Sequence, residues 1–233
     1  MNSNKQKFYI VVLVIVLLAA IVLGIVNSRK NKKPVANESV KIAGAKEQSY
    51  VASKYPEQND SDKMYGEKNA KLKIFVYEDY SNLYSAQLAD TLDKIKLENN
   101  NLDIIVRPYV SADALSKNAA MALACSNDKW VQMRALLFAQ VKNKQINIDN
   151  FSANATQIGL NADEFKTCLT NPEISRTIEK SMEDAKAYSV LGAPTMFVGD
   201  ELVIGARPYD DYVDSNGDKI EGLKNLISRK LGV

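Results

Sequence analysis

The sequence predicts an α/β domain, a small mixed sheet with an all-helical insertion, set behind one transmembrane helix. Three observations carry that prediction. Residues 71–109 read strand, helix, strand, which is the pattern of a parallel pair joined by a crossover. Residues from about 112 to 188 then show only helical periodicity. From Thr195 onward, two short β-rich runs and an amphipathic run close the chain.

The elements follow in order. Phe8 to Val26 is apolar apart from Tyr9 and Gly24. A helix of that length rises about 28 Å, close to the hydrocarbon thickness of a bilayer. No A-x-A-like cleavage site follows it, so residues 8–26 read as an uncleaved signal anchor behind a short basic tail, residues 1–7. A removed signal peptide would leave the rest of the reading unchanged. Lys5 and Lys7 precede the span, and Arg29, Lys30, Lys32 and Lys33 follow it. That near tie in charge leans slightly towards a cytoplasmic C-terminal domain under the positive-inside rule. Residues 27–64 are polar and rich in Lys, Asn, Ser and Glu, with Pro34 and Pro56, and predict a stalk. If flexible, it reaches roughly 30–35 Å.

Lys71 to Tyr77 is rich in apolar and aromatic residues and predicts a buried strand. Leu88, Leu92 and Ile95 recur at helical spacing within Ser85–Asn99, and Leu102 to Tyr109 is a second β-rich run. Helices are predicted over Asp113–Ala124, Trp130–Val141, Ile148–Ile158, Ala162–Leu169 and Pro172–Tyr188, the last with proline at its first position. Thr195–Val198 and Leu202–Ile204 flank Gly199-Asp200, a hairpin signal. Gly217–Leu231 is the predicted last helix. Just before it, Asp214-Ser215-Asn216-Gly217-Asp218 superficially resembles a calcium loop. Lys219 stands at the required glycine and Asn225 at the bidentate glutamate, so it reads as a turn.

Composition removes several function classes. The 233 residues carry a net charge of +2, and nothing suggests nucleic-acid binding. There is no histidine, so no Ser-His-Asp or Cys-His pair, imidazole base or His-ligated zinc is available. Two cysteines without histidine do not make a tetrahedral zinc site. No metal and no cofactor is expected.

Three pieces of sequence, besides the element order, carry a resemblance to a known family. Gly66-Glu67-Lys68-Asn69-Ala70 leads into the first strand and then into Glu78-Asp79-Tyr80. Gly192-Ala193-Pro194-Thr195 precedes the hairpin, and Val203-Ile204-Gly205-Ala206-Arg207-Pro208-Tyr209 leads towards the last helix. In this order they resemble the DsbA-like branch of the thioredoxin fold, over residues 65–233. The resemblance implies a thioredoxin-like domain with a helical insertion at about 112–188. In that family a similar lead-in runs straight into Cys-Pro-Tyr-Cys. Aligned without gaps, Asn82 and Ser85 take the two Cys positions, with Leu83 and Tyr84 between them.

The resemblance thus implies a degenerate site with no catalytic residue. A carboxamide neither ionises nor attacks a disulfide, and Ser85 has no visible base to activate it. Ser81 and Asn82 are both strong helix N-cap residues, so Asn82 reads either as a cap on a retired site or as part of a face that still binds. The resemblance makes Ala193, Pro194 and Thr195 the cis-proline loop, which in this family pairs with an extended peptide. It places Tyr80, Leu83 and Tyr84 across from Ala193 and Pro194 as the peptide-binding surface.

It also implies a structural disulfide between Cys125 and Cys168. Two reduced buried thiols and a redox-active pair are the other readings. A single bridge suggests an oxidising compartment, which outweighs the near tie in flanking charge. The expected protein is therefore single-pass in the cell membrane, with its C-terminal domain outside the cytoplasm. It binds polypeptide or a protein partner through the former active-site face. One alternative is a thiol-disulfide oxidoreductase acting through Cys125 and Cys168 or a partner's thiols. Another is a structural envelope protein.

Overall fold

The computed structural model describes residues 49–233 except Ser53 and Lys68. The basic tail, the predicted span and residues 27–48 of the stalk lie outside the described residues. No helix among the described residues is long and apolar enough to cross a membrane.

The chain runs β1 (Ser49–Val51), β2 (Lys63–Gly66), β3 (Leu72–Glu78), α1 (Leu83–Glu98), β4 (Leu102–Pro108), α2 (Ala114–Ala124), α3 (Trp130–Lys142), α4 (Phe151–Gln157), α5 (Ala162–Leu169), α6 (Pro172–Ala187), β5 (Thr195–Val198), β6 (Glu201–Ile204), β7 (Tyr212–Val213), β8 (Lys219–Ile220) and α7 (Leu223–Leu231). Six strands form one mixed sheet in the order β1-β6-β5-β3-β4-β2, and β7 pairs with β8 as a separate ribbon. Among the described strands only β3 and β4 run parallel, from Leu72 opposite Leu102 to Glu78 opposite Pro108.

The central pair is apolar because both of its faces are covered. Ile74, Val76, Ile104 and Val106 face a core with Leu88, Leu92 and Ile95 of α1 and Leu226 of α7. Phe75, Tyr77 and Ile105 face the other way, onto Ala185 of α6 and onto Val190 and Phe197. The alternation follows from the two-residue period of a strand. Helices α5 and α6 start where Asn161 and Asn171 accept backbone N–H groups through their side chains.

The structure changes three sequence expectations. Residues 49–64 were expected in the stalk, yet they supply β1 and the first two residues of β2. Both strands lie at sheet edges, where one flank faces no neighbouring strand and the apolar alternation is weak. Gly66 closes β2 at φ +140°, and a Cβ there would stand 2.3 Å from the Leu102 carbonyl oxygen. The last helix begins at Leu223 rather than Gly217, because Lys219 and Ile220 pair with Val213 and Tyr212. Ile148–Ile158 begins as a short 3-10 turn over Ile148–Asn150 before α4.

Candidate functional site at the start of helix α1

Strand β3 delivers Glu78, Asp79 and Tyr80 to the turn that opens α1. Asn82 is the N-cap, with extended backbone. Its Oδ1 accepts the backbone N–H of Tyr84 at 2.8 Å and of Ser85 at 3.1 Å. These are two of the donors that a helix start leaves unpaired. Ser85 is buried, and its Oγ accepts the Asp79 N–H at 3.2 Å. Asp79 is buried too. Its Oδ1 accepts from the Ser81 N–H and hydroxyl at 2.9 and 2.7 Å, and its Oδ2 from the Ser111 hydroxyl at 2.7 Å. The Tyr109 N–H donates to the Glu78 carbonyl at 2.8 Å. The turn is therefore tied to the segment that joins β4 to α2.

A buried ion pair lies beneath it. Glu78 accepts from Nε and Nη2 of Arg134 at 2.8 and 2.6 Å, and both side chains are almost wholly buried. Burial is the largest single influence and opposes the guanidinium charge, but Glu78, Tyr65 and Asp93 together outweigh it and hold the Arg134 pKa well above its usual value. The guanidinium also sits 5.3 Å from the Tyr65 ring and 5.2 Å from the Phe138 ring. Sequence reasoning missed this pair. Its members are 56 residues apart, and Arg134 has the ordinary look of a surface residue on a helix.

Tyr80 needs correction. It is 1% exposed, its ring centroid lies 5.8 Å from that of Phe138, and burial pushes its hydroxyl well above the usual phenol range. It belongs to the core and is not available to a partner. Leu83 and Tyr84 are the exposed residues at the helix start, at 44% and 62%.

The loop before β5 reaches the same end of the sheet. Tyr77 pairs with Thr195, and continuing that register sets Pro194 opposite Glu78. The Ala193–Pro194 peptide bond is cis. The Thr195 hydroxyl donates to the Gly192 carbonyl at 2.7 Å, and the Gly205 N–H to the Pro194 carbonyl at 2.9 Å. Pro194 is buried and Ala193 half-buried. Among the described residues no hydrogen bond engages the backbone of Ala193. Leu191, two residues upstream, is 88% exposed. It was not singled out from sequence, although an apolar residue directly before a Gly-x-Pro loop was the available signal.

Both cysteines lie elsewhere. A disulfide joins Cys125, the C-cap of α2, to Cys168 in α5, with 5.8 Å between Cα atoms. Neither is free. Among the described residues no group of three or more Cys, Asp or Glu side chains is placed to hold a metal ion.

Sheet order, the cis-proline loop and the helical block between β4 and β5 define a thioredoxin-like α/β fold with a helical insertion, of the DsbA-like kind. A protein-family model described as thioredoxin matches residues 58–215, more than half of the chain, and the chain belongs to that family. Among solved structures, a periplasmic thioredoxin-like protein from Salmonella enterica serovar Typhimurium is 22% identical. The match covers 76% of this chain and 93% of that one, with a TM-score of 0.59. The thiol-disulfide exchange protein alpha-DsbA2 from Wolbachia pipientis is 17% identical over 64% of this chain and 81% of that one, at 0.58. ScsC from Proteus mirabilis, in a transitional conformation, is 16% identical over 100% and 99%, at 0.60. Likeness at this level of identity is likeness of fold. No curated protein matches the chain.

Proposed function

We propose that this is a membrane-anchored, extracytoplasmic DsbA-like protein. It binds polypeptide or a protein partner at the start of α1 without exchanging disulfides there. In this reading Asn82-Leu83-Tyr84-Ser85 stands where related enzymes carry their dithiol. The observation that carries it is the Asn82 carboxamide. Its Oδ1 accepts the Tyr84 and Ser85 amides that would stabilise a thiolate. The chain has two cysteines, and both are joined away from this site.

Binding is supported by what the same end of the sheet exposes. Leu83, Tyr84 and Leu191 offer apolar contact, and Ala193 has backbone groups for an extended segment to pair with. The location is supported by the disulfide and by the periplasmic description of the Salmonella neighbour. The anchor rests on the apolar run at residues 8–26.

Two measurements on the full chain in nonionic detergent test the reading. In a dithiol-oxidation and disulfide-reduction assay, no turnover is expected, and measurable turnover sinks the reading. In a fluorescence assay with an unfolded polypeptide, the double substitution Leu83→Ala with Tyr84→Ala should weaken binding about tenfold or more. Unchanged binding would leave only a spacer.

A further inference from the structure

Helix α6 holds the segment between β4 and α2 by two contacts. The Ser181 hydroxyl donates to the Pro108 carbonyl at 3.4 Å, and the Val110 N–H donates to Sδ of Met182 at 3.0 Å. The same segment reaches the start of α1. There the Tyr109 N–H donates to the Glu78 carbonyl and the Ser111 hydroxyl to Asp79. A thioether is a weak acceptor, so the tie through Met182 is among the easier ones to lose.

The chain offers a mild oxidant few targets. Both cysteines are in the disulfide, so the thioethers are its soft nucleophiles. Met121, Met133 and Met196 are buried, at 5% exposure or less. Met1 lies outside the described residues. Met64 and Met182 are half-buried, and of these two Met182 is the one whose sulfur carries a backbone N–H. It lies outside both cores, at the margin of α6.

We propose that Met182 is an oxidation site for hydrogen peroxide, and that its sulfoxide releases residues 109–111 and so weakens the binding face at the start of α1. The effect on binding rests on the proposed function; the release of the segment does not. In the step, a sulfur lone pair attacks one peroxide oxygen and the O–O bond breaks. That oxygen stays on sulfur, which gives up two electrons. The other leaves as hydroxide and takes the proton of the first to become water. The lone pair facing Val110 is engaged, so oxygen adds on another side of the sulfur. Sulfur then turns a partial positive charge towards an N–H that is itself positive, and attraction becomes repulsion. For Val110 to bond the new oxygen instead, the segment or the side chain has to move, because 3.0 Å leaves no room for an atom between N and S. The sulfoxide is also polar where a half-buried thioether was apolar.

The full chain in peroxide-free nonionic detergent is treated with hydrogen peroxide, and its methionines are mapped by peptide mass spectrometry. Met182 should be oxidised before Met121, Met133 and Met196. Amide hydrogen exchange over residues 109–111 should then quicken about three- to tenfold, the worth of one modest hydrogen bond, and polypeptide affinity should fall by a similar factor. Met182→Leu, close to methionine in volume, should not respond to peroxide in either measurement. Met64→Leu should respond as the parent chain does. Met182 that stays reduced while the buried methionines are oxidised, a sulfoxide at Met182 without faster exchange, or an equal response from Met182→Leu overturns the proposal. Faster exchange with unchanged binding overturns the coupling to α1 alone. An untreated chain that binds no polypeptide overturns the proposed function, and exchange then decides the oxidation site by itself.

Discussion

The start of α1 and the end of α2 are both helix termini, and they use opposite chemistry. A helix start presents unpaired N–H donors and favours negative charge; a helix end presents unpaired carbonyls and does not. In this chain the donor end holds no sulfur. A neutral carboxamide, Asn82, accepts two of its amides. Sulfur sits at the other kind of terminus, with Cys125 capping α2 and bonded to Cys168. The difference teaches where reactivity comes from. A thiol at the start of α1 would meet donors that make it a thiolate, whereas at the end of α2 it meets none and serves to join two helices.

The strongest way to break the contrast is to place sulfur at the donor end. Asn82→Cys with Ser85→Cys should bring dithiol-disulfide turnover from none to a measurable rate in the full chain. A double variant whose new thiols are free to label yet give no turnover would show that the helix start alone does not confer reactivity.

Next in size is the staple. Cys125→Ser with Cys168→Ser should lower stability by about 2–5 kcal/mol in urea unfolding, with polypeptide binding by the folded fraction unchanged. Lost binding in chain that remains folded would join the two regions functionally. The smallest effect concerns the cap. Asn82→Ala should cost about 1 kcal/mol, and Asn82→Gly only a few tenths. A loss for Asn82→Ala well above that value would mean that Asn82 contributes something beyond its two accepted hydrogen bonds.

How much was legible in sequence varied with burial. Strands β3 and β4 stood out because both faces are covered and most of their residues are apolar. The β5–β6 hairpin announced itself through Gly199-Asp200. Strands β1 and β2 did not, since edge strands need only a few apolar residues and theirs are set among Lys, Ser and Glu. The site divided in a similar way. Leu83 and Tyr84, expected at the surface, are exposed. Tyr80 and Tyr84 are four residues apart and both aromatic, yet one ring packs on Phe138 and the other faces water. What separates them is the position of α3, which local sequence does not encode. The Glu78–Arg134 pair was hidden for the same reason, since a buried ion pair is a property of two elements brought together and neither residue signals it alone.

The pairing of β1 with β6 carries one more consequence, for the order in which the molecule can be assembled. Segments β3, α1 and β4 are contiguous and can come together as soon as about forty residues are available, at a modest loop-closure cost. Ser49 must wait for Val203. While the chain is being synthesised from its N-terminus, the first strand of this sheet has no partner until the β5–β6 hairpin arrives. The first described stretch of the chain is therefore secured only after about 150 further residues have been made.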